Sequence, residues 1–142
     1  MSIIMPDQIE SNRLMSSLSV LRPRIDEITS EFCRLLEFAN PTLRLKFPSN
    51  ERVIAVGIEE IIGTVSDQDD ARSVMERYAS IAQSVGIDET NLPVLLASIQ
   101  TAMAETAGYT WTDGQEDAWT CWFDVLAEFA IRSSVHGDTQ AA

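Results

Sequence analysis

One imidazole is all this chain offers. His136 lies in the polar stretch Ser133-Ser134-Val135-His136-Gly137-Asp138 and is the single histidine of 142 residues. A Ser/His/Asp set built around it would have to draw on a tail, and no glycine-rich phosphate loop accompanies it. Cys33 and Cys121 share no metal-type spacing with each other or with a histidine. Two cysteines are too few for a disulfide framework in a chain of this size, so a reducing, cytoplasmic setting is the expectation. Carboxylates cluster at Asp67, Asp69 and Asp70, at Asp88 and Glu89, and at Asp113, Glu116 and Asp117. Each group precedes a helical pattern, where negative charge favours the helix dipole. The first cluster lacks the central glycine and late glutamate of a calcium loop. No pair of carboxylates stands out for general acid–base work, and the chain reads as a non-enzyme.

The charge balance narrows the partners. A formal net charge of −12 at pH 7 repels nucleic-acid phosphates and anionic lipid, so neither nucleic acid nor membrane is expected. No apolar run is long enough to span a bilayer, and the start, Met1-Ser2-Ile3-Ile4-Met5-Pro6-Asp7, has neither the basic residues nor the apolar length of a signal peptide.

The elements that must position these side chains are helices. Apolar residues recur at spacings of three and four in six segments: Leu14, Leu18, Leu21; Ile25 to Ala39; Ile54, Ile58, Ile61, Val65; Val74, Tyr78, Ile81, Val85; Leu92, Leu95, Leu96, Ile99, Met103; and Trp119, Trp122, Phe123, Leu126, Phe129, Ala130. Thr112 and Gln115 form a capping box ahead of the last. Pro23, Asn40-Pro41, Phe47-Pro48, Ser66 to Asp70, Gly86 and Gly108 punctuate them. The pattern predicts a single all-α domain over 1–142, with its core in 7–133 and a polar tail in 134–142. Trp119 and Trp122 are spaced so that both cannot be equally central to one core stripe, and whichever is exposed would mark an interface, for instance of a homodimer.

The stretch Ile28-Thr29-Ser30-Glu31-Phe32-Cys33-Arg34-Leu35-Leu36, then Ala39-Asn40-Pro41-Thr42-Leu43-Arg44 and Phe47-Pro48, resembles the second and third helices of bacterial single-domain haemoglobins. Val85-Gly86-Ile87 resembles the turn after their haem-ligating helix, and Ala118-Trp119 a pair in their final helix. The resemblance runs from Asp7 to Ser133 with one gap near Pro48. It implies the globin fold, with Phe47 flat against a haem, and the two-domain flavohaemoglobin arrangement is not expected. The positions that carry the iron chemistry differ. The proximal-histidine position falls on Ala82, which has no lone pair for a metal. The tyrosine and glutamate that orient that histidine fall on Leu92 and Ser134. The distal tyrosine position falls on Cys33, and the distal polar residue at or near Asn50.

Two readings follow from the resemblance. In the first, the fold has lost histidine-ligated haem, Ile54, Met75, Ala82 and Leu92 pack where the porphyrin would lie, and the molecule binds a protein partner or apolar small molecule through the former crevice or through the face of its last two long helices. In the second, haem is held by a tyrosinate, Tyr78, one turn before Ala82, for gas or redox sensing or oxygen binding. Each residue also has a plainer role: Tyr78 as a core aromatic with a hydrogen-bonded hydroxyl, Cys33 as an inert buried thiol, Met75 and Met103 as gap fillers, and His136 as a solvated tail residue.

Overall fold

Local signals in the chain start and stop its helices. In the computed structural model, which describes the backbone of residues 5–141 and the side chains of residues 5–132, α1 (Gln8–Leu21) opens on a capping box. The Asp7 carboxylate accepts from Glu10 N at 2.8 Å, and the Glu10 side chain accepts from Asp7 N. A 3₁₀ turn over Arg22–Arg24 leads into α2 (Ile25–Ala39). Pro41 supplies the fixed first-turn φ of the short α3 (Pro41–Leu45), capped by the Asn40 side chain. α4 (Glu51–Ile62) is followed by two 3₁₀ turns, Gly63–Ser66 and Gln68–Asp70, then α5 (Ala71–Ser84). α6 is Leu92–Ala107, and α7, Asp113–Ala141, begins at the Thr112/Gln115 capping box. No strand occurs among the described residues. The order and punctuation follow the sequence pattern, with α3 added as a single short helix between the second and third stripes.

The helices are layered rather than bundled. α7 packs on α5, α6 and α1, while α2 crosses α6 and α4 on the other side of the core. α7 is therefore covered on more than one face, and this overturns the reading of Trp119 and Trp122 as interface markers. Both side chains are 0% exposed. The Trp119 indole N–H donates to Ser17 Oγ at 2.7 Å, and that of Trp122 to Thr64 Oγ1 at 3.0 Å. Each hydroxyl passes its own proton to a carbonyl one turn back, Leu14 O or Ile61 O, so both buried indoles are satisfied.

Two other expectations shift. α7 continues through the stretch read as a tail, because no proline follows Pro93 and the one glycine there, Gly137, costs a helix only about 1 kcal/mol. The side chains of Ser134 and His136 lie outside the described residues. In α5 the buried face is Val74, Met75, Ala79 and Ala82, while Ile81 and Val85 are about half exposed. The stripe is rotated by about one residue from the one drawn through Tyr78, which leaves Tyr78 at its edge.

Candidate functional site

Ala82, the position that the resemblance gives to a proximal ligand, is placed by the end of α5. Gly86 adopts φ +80°, a left-handed conformation that favours glycine. Gly86 N donates to Gln83 O at 3.1 Å and Ile87 N to Ala82 O at 2.8 Å. These are the paired bonds of a Schellman motif, which folds Ile87 back over Ala82. Ala82, Ile87 and Leu92, all buried, wall a cavity of about 250 Å³ whose polar lining is Gln83, Asp88 and Glu89. Asp88 caps the next turn through Thr90 N. The Oε2 atom of Glu89 is buried without a hydrogen-bond partner.

Across the crevice, α4 and α5 are joined by side chains. The ring of Tyr78 lies over Gly57, where an added Cβ would stand 3.4 Å from the phenolic oxygen. The hydroxyl donates to Glu60 Oε1 at 2.7 Å. Arg77 pairs with the other oxygen of the same carboxylate. Burial, then the neighbouring Glu60 carboxylate, push the Tyr78 phenol up to about 12. The same hydroxyl, with help from Arg77, holds Glu60 below the usual carboxylate range. The phenolate of Tyr78 is thus disfavoured twice, by low dielectric and by an adjacent negative charge. This runs against Tyr78 as an iron ligand and matches its plainer reading as a hydrogen-bonded core-edge aromatic.

On the opposite side Cys33 is buried, and burial is the main cause that raises its thiol above the ordinary value. Phe47 is partly buried and leans on Phe32 with centroids 5.8 Å apart and planes tilted by 36°. Ile54 and Met75 enter the core. Asn50 does not face the crevice. It is exposed and caps α4, accepting from Arg52 N at 2.9 Å, so its role is that of a helix start.

A haem, which the resemblance implies, does not fit this donor set. α5 presents methyl groups at Ala79 and Ala82 to the core, and its one aromatic hydroxyl is committed to Glu60. Among the described residues no group of three or more histidine, cysteine, aspartate or glutamate side chains could hold a metal ion, and no helix is long and apolar enough to cross a membrane. Three residues escaped the sequence reading. Gly57 and Glu60 sit on α4 beside apolar stripe positions and take their meaning from Tyr78, a partner far along the chain. Glu89 was grouped with the helix-start carboxylates, and nothing in its spacing separated it from them.

With this geometry in view, the chain can be placed among known folds. No family model matches the sequence, and no curated protein matches it. Among solved structures, a bacterial globin from Campylobacter jejuni superposes with a TM-score of 0.74 at 16% identity, covering 89% of this chain and 95% of that one. An engineered carbene transferase from Rhodothermus marinus superposes with a TM-score of 0.81 at 16% identity. That match covers 97% of this chain and 100% of the other. The fold is the all-α globin fold, as the sequence predicted.

Proposed function

We propose that this chain is a haem-free globin-fold module, without enzymatic activity, that recognises a protein partner or a small molecule from the region where a globin would hold its porphyrin. The observation that carries this reading is the bridge from Tyr78 to Glu60 over Gly57, which joins α4 to α5 through side chains. Ala82 supports it from the other end, because a methyl group has nothing to donate to iron. The orienting residues of a proximal histidine have no counterpart at Leu92 or Ser134. The mouth of the region offers a place for recognition. Lys46 Nζ donates to Gly86 O at 2.6 Å, tying the end of α3 to the corner after α5, and Leu45 and Val85 stand exposed beside that bond.

Expression in haem-supplemented cells tests the reading. The purified protein should carry iron far below one equivalent and give no haem spectrum in alkaline pyridine. One haem per chain surviving purification would refute it.

A further inference from the structure

A groove of about 260 Å³ runs between α6 and α7, and its lining accepts hydrogen bonds without a donor to spare. We infer that it binds an alkylguanidinium group. Gln100 lies at its floor and is only 8% exposed. The Gln100 Nε2 donates to Thr120 Oγ1 at 2.9 Å, to Glu116 Oε1 at 3.0 Å and to Glu116 O at 3.3 Å. A carbonyl and a carboxylate can only accept, so the amide cannot be turned over, and three acceptors already share its two protons. Oε1 therefore faces away from α7 and receives no hydrogen bond. It is not sealed in protein either, because among the described residues Glu89 Oε2 alone is both sealed and without a partner. For a side chain this deeply buried, the opening is the groove that it lines.

Nothing else in the lining can answer that oxygen. The Thr120 and Thr101 hydroxyls give their protons to carbonyls one turn back, Glu116 O and Ala97 O. Pro93 has no N–H, and among the described residues no lysine, arginine or histidine lines the groove. A molecule bound here must bring the donors. Asp124 adds a charge to the rim, one turn along α7 from Thr120, and it belongs to none of the ion pairs among the described residues. A guanidinium carries five N–H donors in a fixed planar fork, enough to serve an amide oxygen and a carboxylate together, and it sheds water more readily than an ammonium. α6 and α7 run antiparallel through their short connection. The apolar end of the groove, Pro93 and Ala127, is therefore two turns, about 10 Å, from the Gln100 amide, with Leu96 and Phe123 as the floor between. That floor takes a short alkyl stem, and the volume lies below the roughly 300–1,000 Å³ of sites for drug-sized ligands.

The groove shares no residue with the α4–α5 crevice, so its occupancy is independent of the haem-free reading. The probe is n-butylguanidinium chloride, titrated into ¹⁵N-labelled full-length protein at about 0.15 M salt, which screens loose attraction to the net charge of −12. The Gln100 side-chain amide and the backbone amides of Phe123 and Asp124 should shift along one saturable one-to-one curve. n-Butylurea, planar but neutral, should bind about tenfold more weakly, and n-butylammonium, charged but without the fork, about threefold more weakly. Asp124→Asn should weaken the guanidinium about threefold with an unchanged melting curve. Gln100→Leu should abolish the shifts but also removes bonds between α6 and α7. Ala97→Phe, which covers the groove from an exposed helix position, should abolish them in a protein that melts like the parent, and Asp69→Asn should change nothing. A capped Gly-Arg-Gly peptide separates the two sources of the group: binding about tenfold tighter than butylguanidinium assigns the site to an arginine of a protein partner, and equal or weaker binding to a free small guanidine. Shifts that fail to saturate or spread over the acidic surface would overturn the site. So would equal binding of either comparison compound, or indifference to both Asp124→Asn and Ala97→Phe.

Discussion

Replacing Tyr78 with phenylalanine removes one oxygen from the middle of the α4–α5 contact and leaves the ring over Gly57. The lost bond runs to an ionised carboxylate at 2.7 Å, and such bonds contribute about 1.5–3 kcal/mol. The pair is partly open to solvent and Arg77 remains on Glu60, so screening brings the loss to or just below that range, about 1–1.5 kcal/mol. In a chain of this length that is a fall of about 3–5 °C in melting temperature. The pH dependence is more diagnostic than the size. Glu60 is held below its ordinary value of 4.5, first by the Tyr78 hydroxyl. A carboxylate with a lowered folded-state pKa contributes stability that is present above its unfolded value and disappears as pH falls through the folded one. The deficit of Tyr78→Phe should therefore be full at pH 7 and smaller at an acid pH below the lowered Glu60 value, where protonation leaves only a neutral bond to lose. Urea unfolding followed by tryptophan fluorescence measures both. A deficit under about 0.3 kcal/mol, or one identical at the two pH values, would show that the bridge is not made.

Trp119→Phe and Trp122→Phe should each destabilise the fold by about 2 kcal/mol, through a lost indole bond and incomplete refilling of the core. Sedimentation should be unchanged, and a shift in oligomeric state for either would restore the interface role. A thiol reagent should modify exposed Cys121 in the native protein, but slowly, because desolvation and then the Glu10 carboxylate raise its pKa. Cys33 should react only on unfolding, and two equally fast thiols would contradict its burial. Arg34, and then Glu105, hold Glu31 at about 2, so stability gained there above pH 4.5 should drain away as pH falls toward 2. Glu31→Gln should flatten that part of the acid-stability curve, and an unchanged curve would count against the triad.

The helices were legible because their causes are local. Asn40-Pro41, Gly86, Gly108 and Thr112-Gln115 act within a turn of where they sit, and the structure uses each as the pattern implied. What failed depended on neighbours distant in sequence. Trp119 and Trp122 reach Ser17 and Thr64 across the fold, and a stripe drawn on one helix cannot show that α7 is covered from several sides. In α5 the spacing through Tyr78, Ile81 and Val85 was as regular as the true buried face, Met75, Ala79 and Ala82. Alanines signal weakly in a hydrophobic pattern, and the register was set by packing. Asn50 was assigned across a gap in the resemblance, where its real task, capping α4, is a local one that its position just before Glu51 already suggested. At the site, Ala82 and Leu92 were readable as positions. The bridge to Glu60 and the buried oxygen of Glu89 were not, since both depend on three-dimensional juxtaposition.

The central claim of the proposal is that Tyr78 is committed to its bond with Glu60 and that, among the described residues, α5 offers iron neither a histidine nor a free phenolate, and titration of the purified protein with haemin tests it most directly. Against a free-haemin blank, the Soret region should change without a one-to-one endpoint, and Tyr78→Phe should give the same trace as the parent. A saturable endpoint at one haem per chain, with a charge-transfer band that vanishes in Tyr78→Phe, would contradict the account.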